Sequence, residues 1–322
     1  MKHTKFGFIF QLCASKFRLK KMIQPSPIKP GDKIRIVSPA GKIAEKHVLP
    51  AVEWFRAKGY RVELGKHVFD QHFQFAGTDA QRLEDLQTAL DDDDCSAILC
   101  SRGGYGTVRI VDQLNFLNFL EKPKWLVGFS DITILHACIN QYQVPTIHGA
   151  MPRYFFDESG DASENLESLM KLLTGEKIQY AVKCPEYNQP GKAKAELVGG
   201  NLSIITSLQG TFYDLDTDGK ILFLEDIDEF LYHTDRMIHQ LKLSGRLDNL
   251  AGLILGDFTD MKDNESPFGM SVHEIIADVL SDYPYPVCFG FPAGHDKKNL
   301  ALMFGAEWEL EVTVEQATLT LL

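Results

Sequence analysis

The six cysteines, Cys13, Cys95, Cys100, Cys138, Cys184 and Cys288, form no CxxC or CxC pair. In a chain of 322 residues such scattered thiols read as reduced structural groups, not as a disulfide framework or a metal knuckle. No apolar run approaches the ~20 residues that a membrane-spanning helix needs, so no membrane partner is expected. Positive charge is also short: 33 Lys and Arg stand against 44 Asp and Glu, a net charge of −11. That balance argues against a nucleic-acid partner, which calls for a basic face. There is no HExxH helix, no GxGxxG turn and no P-loop ending in Lys-Ser/Thr. One SxxK match, Ser26 to Lys29, lies in a Pro-rich stretch without helical context. No metal and no organic cofactor is therefore expected. Fixed-period repeats and low-complexity tracts are absent too.

What is present is an ordinary globular composition, 44% hydrophobic and 24% charged, long enough for two domains that each bury a core. Residues 1–21 carry a short apolar stretch that Gln11 interrupts and that basic "KFRLKK" follows, where a signal peptide would place its small-residue cleavage site. They read as a disordered leader, with the folded part starting near Met22. Short β-rich runs, "KIRIVS", "RVEL", "AILCS", "WLVGF" and "PTIH", alternate with helical patterns such as "DAQRLEDLQTALDD" and "DITILHACINQ". This alternation predicts an α/β protein whose N-terminal domain, 22–172, is a doubly wound, mainly parallel sheet. Residues 173–200, ending in a Gly pair, read as a linker. Residues 201–322 read as a β-rich α/β C-terminal domain closing with a hairpin in "EWELEVTVEQATLTLL". The acidic run Asp91–Asp94 reads as a solvated turn.

In open parallel sheets, sites form beyond the carboxyl ends of strands. Ser130 follows "WLVGF", Glu225 ends "ILFLE", and His295 follows "VCFGFPAG". A serine hydroxyl is a weak nucleophile near neutrality and needs an imidazole to take its proton, with a carboxylate fixing the imidazole tautomer. The chain order serine, acid, histidine is that of α/β-hydrolases, although Ile132 stands where a G-x-S-x-G elbow would have its last Gly. Rivals remain open on spacing alone. Ser130 would also serve as a helix N-cap. Asp226, Asp228 or Glu229 would supply the acid as well, and His148 ends a strand before Gly149. "SRGGYG" (101–106) follows the third strand, and its glycines expose backbone N–H groups as an oxyanion hole requires, although a tight turn explains them equally.

Seven stretches recur in one order: "IVSPAG", "SRGGYG", "GFSDIT", "HGAM", "GGNL", "LFLEDIDE" and "FGFPAGH". In this the chain from about Ile28 onward resembles the LD-carboxypeptidase family, the muramoyltetrapeptide carboxypeptidases of serine peptidase family S66. It is similar as well to that family's microcin-immunity branch. The resemblance implies a Ser130–Glu225–His295 triad, an active site between the two domains, a homodimer, and cytoplasmic release of D-alanine from a murein tetrapeptide or muropeptide during peptidoglycan recycling. Gly104 and Asp131 are the expected oxyanion-hole amides. Arg102, Gly103 and Tyr105 are the expected substrate contacts, with Arg102 suited to a terminal carboxylate. Asp296, Lys297 and Lys298 are candidates for the site's mouth. Two alternatives remain, an amidase for a peptidyl-nucleotide antibiotic and a non-catalytic muropeptide-binding protein.

Overall fold

The computed structural model describes residues 22–157, 159–160, 162–183 and 187–322; the leader 1–21, with Cys13, and Cys184 lie outside them. The apolar runs of the first half become β1 (Lys33–Val37), β2 (Arg61–Leu64), β3 (Cys95–Cys100), β4 (Trp125–Gly128) and β5 (Thr146–His148). Between them run α1 (Leu49–Ala57), α2 (Asp79–Asp91), α3 (Leu117–Glu121) and α4 (Thr133–Asn140). A capping box in which Thr78 and Gln81 bond each other's backbone starts α2. All five strands pair in parallel, in the order β5-β4-β3-β1-β2. The strand order reverses between β1 and β3, and at such a switch point the loops leave a crevice beyond the strands' carboxyl ends.

The second half supplies α5 (Glu164–Leu173), β6 (Gln179–Lys183), β7 (Gly191–Asn201), α6 (Leu202–Leu208), β8 (Ile221–Ile227), α7 (Leu231–Leu243), β9 (Gly252–Thr259), α8 (Val272–Leu280), β10 (Val287–Cys288), β11 (Leu302–Phe304), β12 (Glu307–Val312) and β13 (Gln316–Leu321). Its seven-stranded sheet runs β10-β9-β8-β7-β12-β13-β6. The β10-to-β7 half is parallel, and β7, β12, β13 and β6 pair antiparallel. The expected closing hairpin is β12–β13.

Two expectations about organisation are corrected. Residues 173–200 are not a linker but hold β6 and most of β7. Their sequence hid this because β7 buries a continuous stretch only at its end, with exposed lysines before it. Nor does the chain divide cleanly at residue 200: β11 leaves the second half and pairs antiparallel with β5. One apolar cluster accordingly runs through both sheets, from Ile34, Val127 and Ile147 to Leu197, Phe223 and Trp308. The acidic run at 91–94 is also more than a solvated turn. Asp92 pairs with Lys33 at 2.7 Å and Arg35 at 2.6 Å, and Asp94 pairs with Arg61 at 2.8 Å. These ion pairs tie the amino ends of β1 and β2 to the turn before β3. Cys95, Cys100 and Cys138 are buried free thiols, their ionisation pushed up by burial. Among the described residues, no helix is long and apolar enough to cross a membrane.

Candidate active site

β4 delivers its chain into an unusually tight turn. Ser130 has φ +65, a left-handed conformation that a side chain adopts only under strain of order 1–3 kcal/mol. Two glycines make room for it. A Cβ on Gly128 would lie 2.9 Å from both γ carbons of Ile132, and a Cβ on Gly103 would lie 2.8 Å from Ser130 Cβ and 3.0 Å from its Oγ. The missing last Gly of the elbow motif is thus replaced by Ile132 folding over a bare Gly128. Beyond the turn, Thr133 opens α4, and its Oγ1 accepts the Asn201 backbone N–H at 3.0 Å. The end of β7 is thereby fastened to the serine turn from the other sheet.

The "SRGGYG" loop lies against this turn. Ser101 and Ser38 share a hydrogen bond of 2.5 Å between their Oγ atoms, and Gly41 N–H donates to Gly103 O at 2.9 Å. The loops after β1 and β3 thus meet at the switch point. Gly103 is the loop glycine that touches Ser130, whereas Gly104, with φ +98, packs against Gly41. Asp131 is buried, and its Oδ2 accepts the Thr107 N–H at 2.9 Å. Burial raises its carboxyl pKa, with the Thr107 and Arg82 interactions opposing. Its side chain therefore braces the glycine loop. Arg102 is exposed and donates from Nη1 to Lys42 O at 2.6 Å; no ion pair engages it among the described residues. Tyr105 is 48% exposed, its ring 6.1 Å from that of Phe75.

The acid and the histidine come from the second half. Glu225, fully buried near the end of β8, accepts a hydrogen bond of 2.6 Å from His295 Nδ1. Pairing of β8 with β9 slips here: Leu224 opposes Leu255, but Asp226 opposes Phe258. Gly256 and Asp257 therefore stand opposite Glu225 alone, a bulge of the kind that re-aims side chains beside sites. Asp257 N–H donates to Ala293 O at 2.9 Å, so it holds the segment that leads into the His295 loop. Gly294, φ +141, passes where a Cβ would stand 3.1 Å from Asp257 Cβ and 3.2 Å from Glu225 Cβ. Burial disfavours a charged His295, but Glu225, Asp226 and Asp257 outweigh it and leave the imidazole pKa raised. The His295 ring lies 4.9 Å from that of Phe129, the residue before Ser130.

The two halves of the chain match the LD-carboxypeptidase N-terminal domain over residues 34–149 and the LD-carboxypeptidase C-terminal domain over residues 194–310. A Bacillus subtilis protein named "Probable murein peptide carboxypeptidase" is 34% identical over 92% of this chain and 94% of its own length. The chain belongs to the LD-carboxypeptidase family. The structure of a muramoyltetrapeptide carboxypeptidase from Oxalobacter formigenes superposes with a TM-score of 0.81 at 27% identity, over 90% of this chain and 98% of that one. The microcin C7 self-immunity protein MccF of Escherichia coli aligns at 24% identity over 92% of this chain and 95% of its length. The family's two-domain α/β fold is the fold described above.

In this LD-carboxypeptidase fold the sequence-level rivals are placed elsewhere. His148 is wholly buried with both ring nitrogens unpartnered, set among Phe129, Phe223 and Phe304. Burial holds its pKa well below the usual value, with His136 and His295 adding to the effect. Asp226 bonds Asn201 Nδ2 at 2.8 Å and the Ser203 N–H at 2.9 Å, at the start of α6. Burial, with Glu225 nearby, pushes it up to about 7. Asp228 pairs with Lys262 at 2.6 Å and Glu229 with His233 at 2.5 Å. Of the four acids, Glu225 alone bonds His295. Lys298 pairs with Glu164 at 2.5 Å, while Asp296 accepts the Lys297 N–H at 2.7 Å.

Sequence reasoning missed two supports of the His295 loop. One is Asp257, whose "LGDF" gives no sign of a bulge. The other is Asn165 on α5, which donates to Lys297 O at 2.9 Å and accepts the Asn299 N–H at 2.7 Å. A polar residue on the buried face of an amphipathic helix was the available signal.

Proposed function

We propose that this chain is a serine L,D-carboxypeptidase that removes the terminal D-alanine of murein tetrapeptides in peptidoglycan recycling. The observation that carries this reading is the hydrogen bond between buried Glu225 and part-buried His295 on the second sheet, with the His295 ring 4.9 Å from that of Phe129, the residue before the strained serine turn of the first. Family membership supports the coarser statement, a serine-type carboxypeptidase; the triad and its steps are our reading of the site.

Because Nδ1 of His295 is engaged by Glu225, Nε2 is the nitrogen left to act as base. It takes the Ser130 proton as Oγ forms a bond to the carbonyl carbon before D-alanine. Negative charge on the carbonyl oxygen rests on backbone N–H groups, for which Gly104 and Asp131 are the candidates. Collapse breaks the C–N bond, the imidazolium proton goes to the leaving amine, and D-alanine departs. Water, deprotonated by the same imidazole, then hydrolyses the acyl-Ser130 ester. Arg102, with guanidinium donors beyond its one backbone bond, is the proposed partner of the substrate's terminal carboxylate, beside Gly103 and Tyr105. The homodimer and cytoplasmic location implied by the family resemblance belong to this proposal.

The test is mass-spectrometric detection of D-alanine released from murein tetrapeptide. Activity that falls 10³-fold or more in Ser130→Ala supports the reading. Unchanged turnover in that variant overturns the triad. Turnover of a peptidyl-nucleotide amide with none of tetrapeptide transfers the site to the microcin-immunity type of chemistry, and tight muropeptide binding without turnover makes the protein a binder.

A further inference from the structure

In a chain of net charge −11, cations gather beside the serine turn. Lys42 and Lys46 follow β1, Arg102 follows β3, and Arg153 follows β5. All four are exposed, and none forms an ion pair among the described residues. Their proximity has several independent marks. Arg102 bonds the Lys42 carbonyl at 2.6 Å, and its side chain lies 3.6 Å from where a Gly41 Cβ would be. Arg153 sits 5.7 Å over the Tyr154 ring, and that ring is 5.9 Å from Phe129, next to the serine. Phe55 of α1, the helix that follows the turn at Glu45–His47, meets Phe155 at 6.1 Å, so α1 packs on the segment after Arg153. His47 in that turn has its pKa lowered by burial first, and then by Arg153, Lys46 and Arg102. Glu45, the acid of that turn, makes no ion pair among the described residues. Like charges gathered at the same sheet edge repel one another, so a group of opposite sign gains by entering.

We propose that Lys46 and Arg153, flanking Arg102 at the terminal carboxylate, form an anion subsite that reads acidic groups of the peptide upstream of the cleaved bond, which makes Arg153 a specificity-determining residue. This rests on the carboxypeptidase reading above and goes beyond it: one arginine facing the terminal carboxylate accounts for an exopeptidase, whereas a rim of cations from three strand ends fits a peptide with several carboxylates. Guanidinium–carboxylate pairs are among the stronger charge-assisted hydrogen bonds, and partly exposed ones weaken with salt.

The experiment compares two probes, murein tetrapeptide and the same peptide with its γ-linked glutamate α-carboxyl amidated. Steady-state kinetics are measured for wild type, Arg153→Gln and, as an equal loss of charge on the outer strand β6, Lys183→Gln. The expected result is a wild-type preference for the acidic peptide that drops about tenfold in Arg153→Gln, through KM with kcat little changed, and that persists in Lys183→Gln. Rising salt should erode the wild-type preference and leave the Arg153→Gln value flat. Equal effects of Arg153→Gln on both peptides, or an equal effect of Lys183→Gln, overturn the subsite. If wild type cleaves neither peptide, the carboxypeptidase reading fails separately. Calorimetric titration with the acidic tetrapeptide then decides the subsite. Binding weakened in Arg153→Gln sustains it, whereas equal or absent binding overturns it.

Discussion

The two halves of the site are built from different physics. On the first sheet the serine is placed by backbone: φ +65 at Ser130 and glycines at 103 and 128 where no Cβ fits. On the second sheet the histidine is placed by buried charge: Glu225 at 2.6 Å, with Asp226 and Asp257 behind it. A strained turn holds its geometry in any ionisation state. The charged half changes with pH and with every carboxylate nearby. One half therefore supplies rigidity to the proposed nucleophile, and the other tunes the proposed base.

The sharpest way to break this contrast is Glu225→Gln. The amide nearly keeps the carboxylate's shape but no longer fixes the tautomer or stabilises the imidazolium, so kcat/KM should fall about 10³–10⁴-fold. The same variant tests linkage. In wild type the raised His295 pKa means that the pair's contribution to stability is full below the unfolded imidazole pKa of about 6.5. It is lost as pH rises through the folded value. Thermal unfolding across that window should lose this dependence in Glu225→Gln. A variant with full activity, or an unaltered pH profile of stability, would show that the pair is ornamental.

Backbone changes should act chiefly on stability. Ser130→Gly should raise the melting temperature by relieving about 1 kcal/mol of strain while abolishing turnover. Gly128→Ala should cost about 1–3 kcal/mol by forcing a Cβ against Ile132, and Ile132→Ala in the same chain should recover part of it. Denaturant titration of wild type, Ser130→Gly, Gly128→Ala, Ile132→Ala and the double variant reads both effects. Additive losses in the double variant would mean that the two residues do not share the turn.

The smallest expected effect sharpens the charged half. In the proposed mechanism His295 must be neutral to accept the serine proton, so activity should fall as pH drops through its raised pKa. Asp257→Asn removes a negative neighbour and should move that acid limb down by a few tenths of a pH unit. The shift stays small because burial, ahead of Asp296, pushes Asp257 itself up to about 7. An upward shift would contradict the arrangement.

Much of the first sheet was readable because each parallel strand is a short apolar run followed by an amphipathic helix. The sequence order of serine, acid and histidine at strand ends located the same three positions that the family motifs mark. What stayed hidden depends on pairing across long separations. β7 looked like a linker because its lysines and glycines break the apolar pattern. The bulge that sets Gly256 and Asp257 opposite Glu225 is a matter of register, and register leaves no mark in a single strand's composition. The cation rim was equally invisible, since Lys46, Arg102 and Arg153 are isolated residues until the β1, β3 and β5 loops converge.

The strand exchange at β11 has a consequence for how the molecule comes into being. During synthesis the first sheet remains open along β5, its pairing groups bare, until Leu302–Phe304 emerges and closes it. His295 is translated only seven residues before that strand. The nascent chain thus carries its serine turn for most of its synthesis without the histidine proposed as its base, and on that proposal hydrolytic competence arrives together with the strand that seals the first sheet.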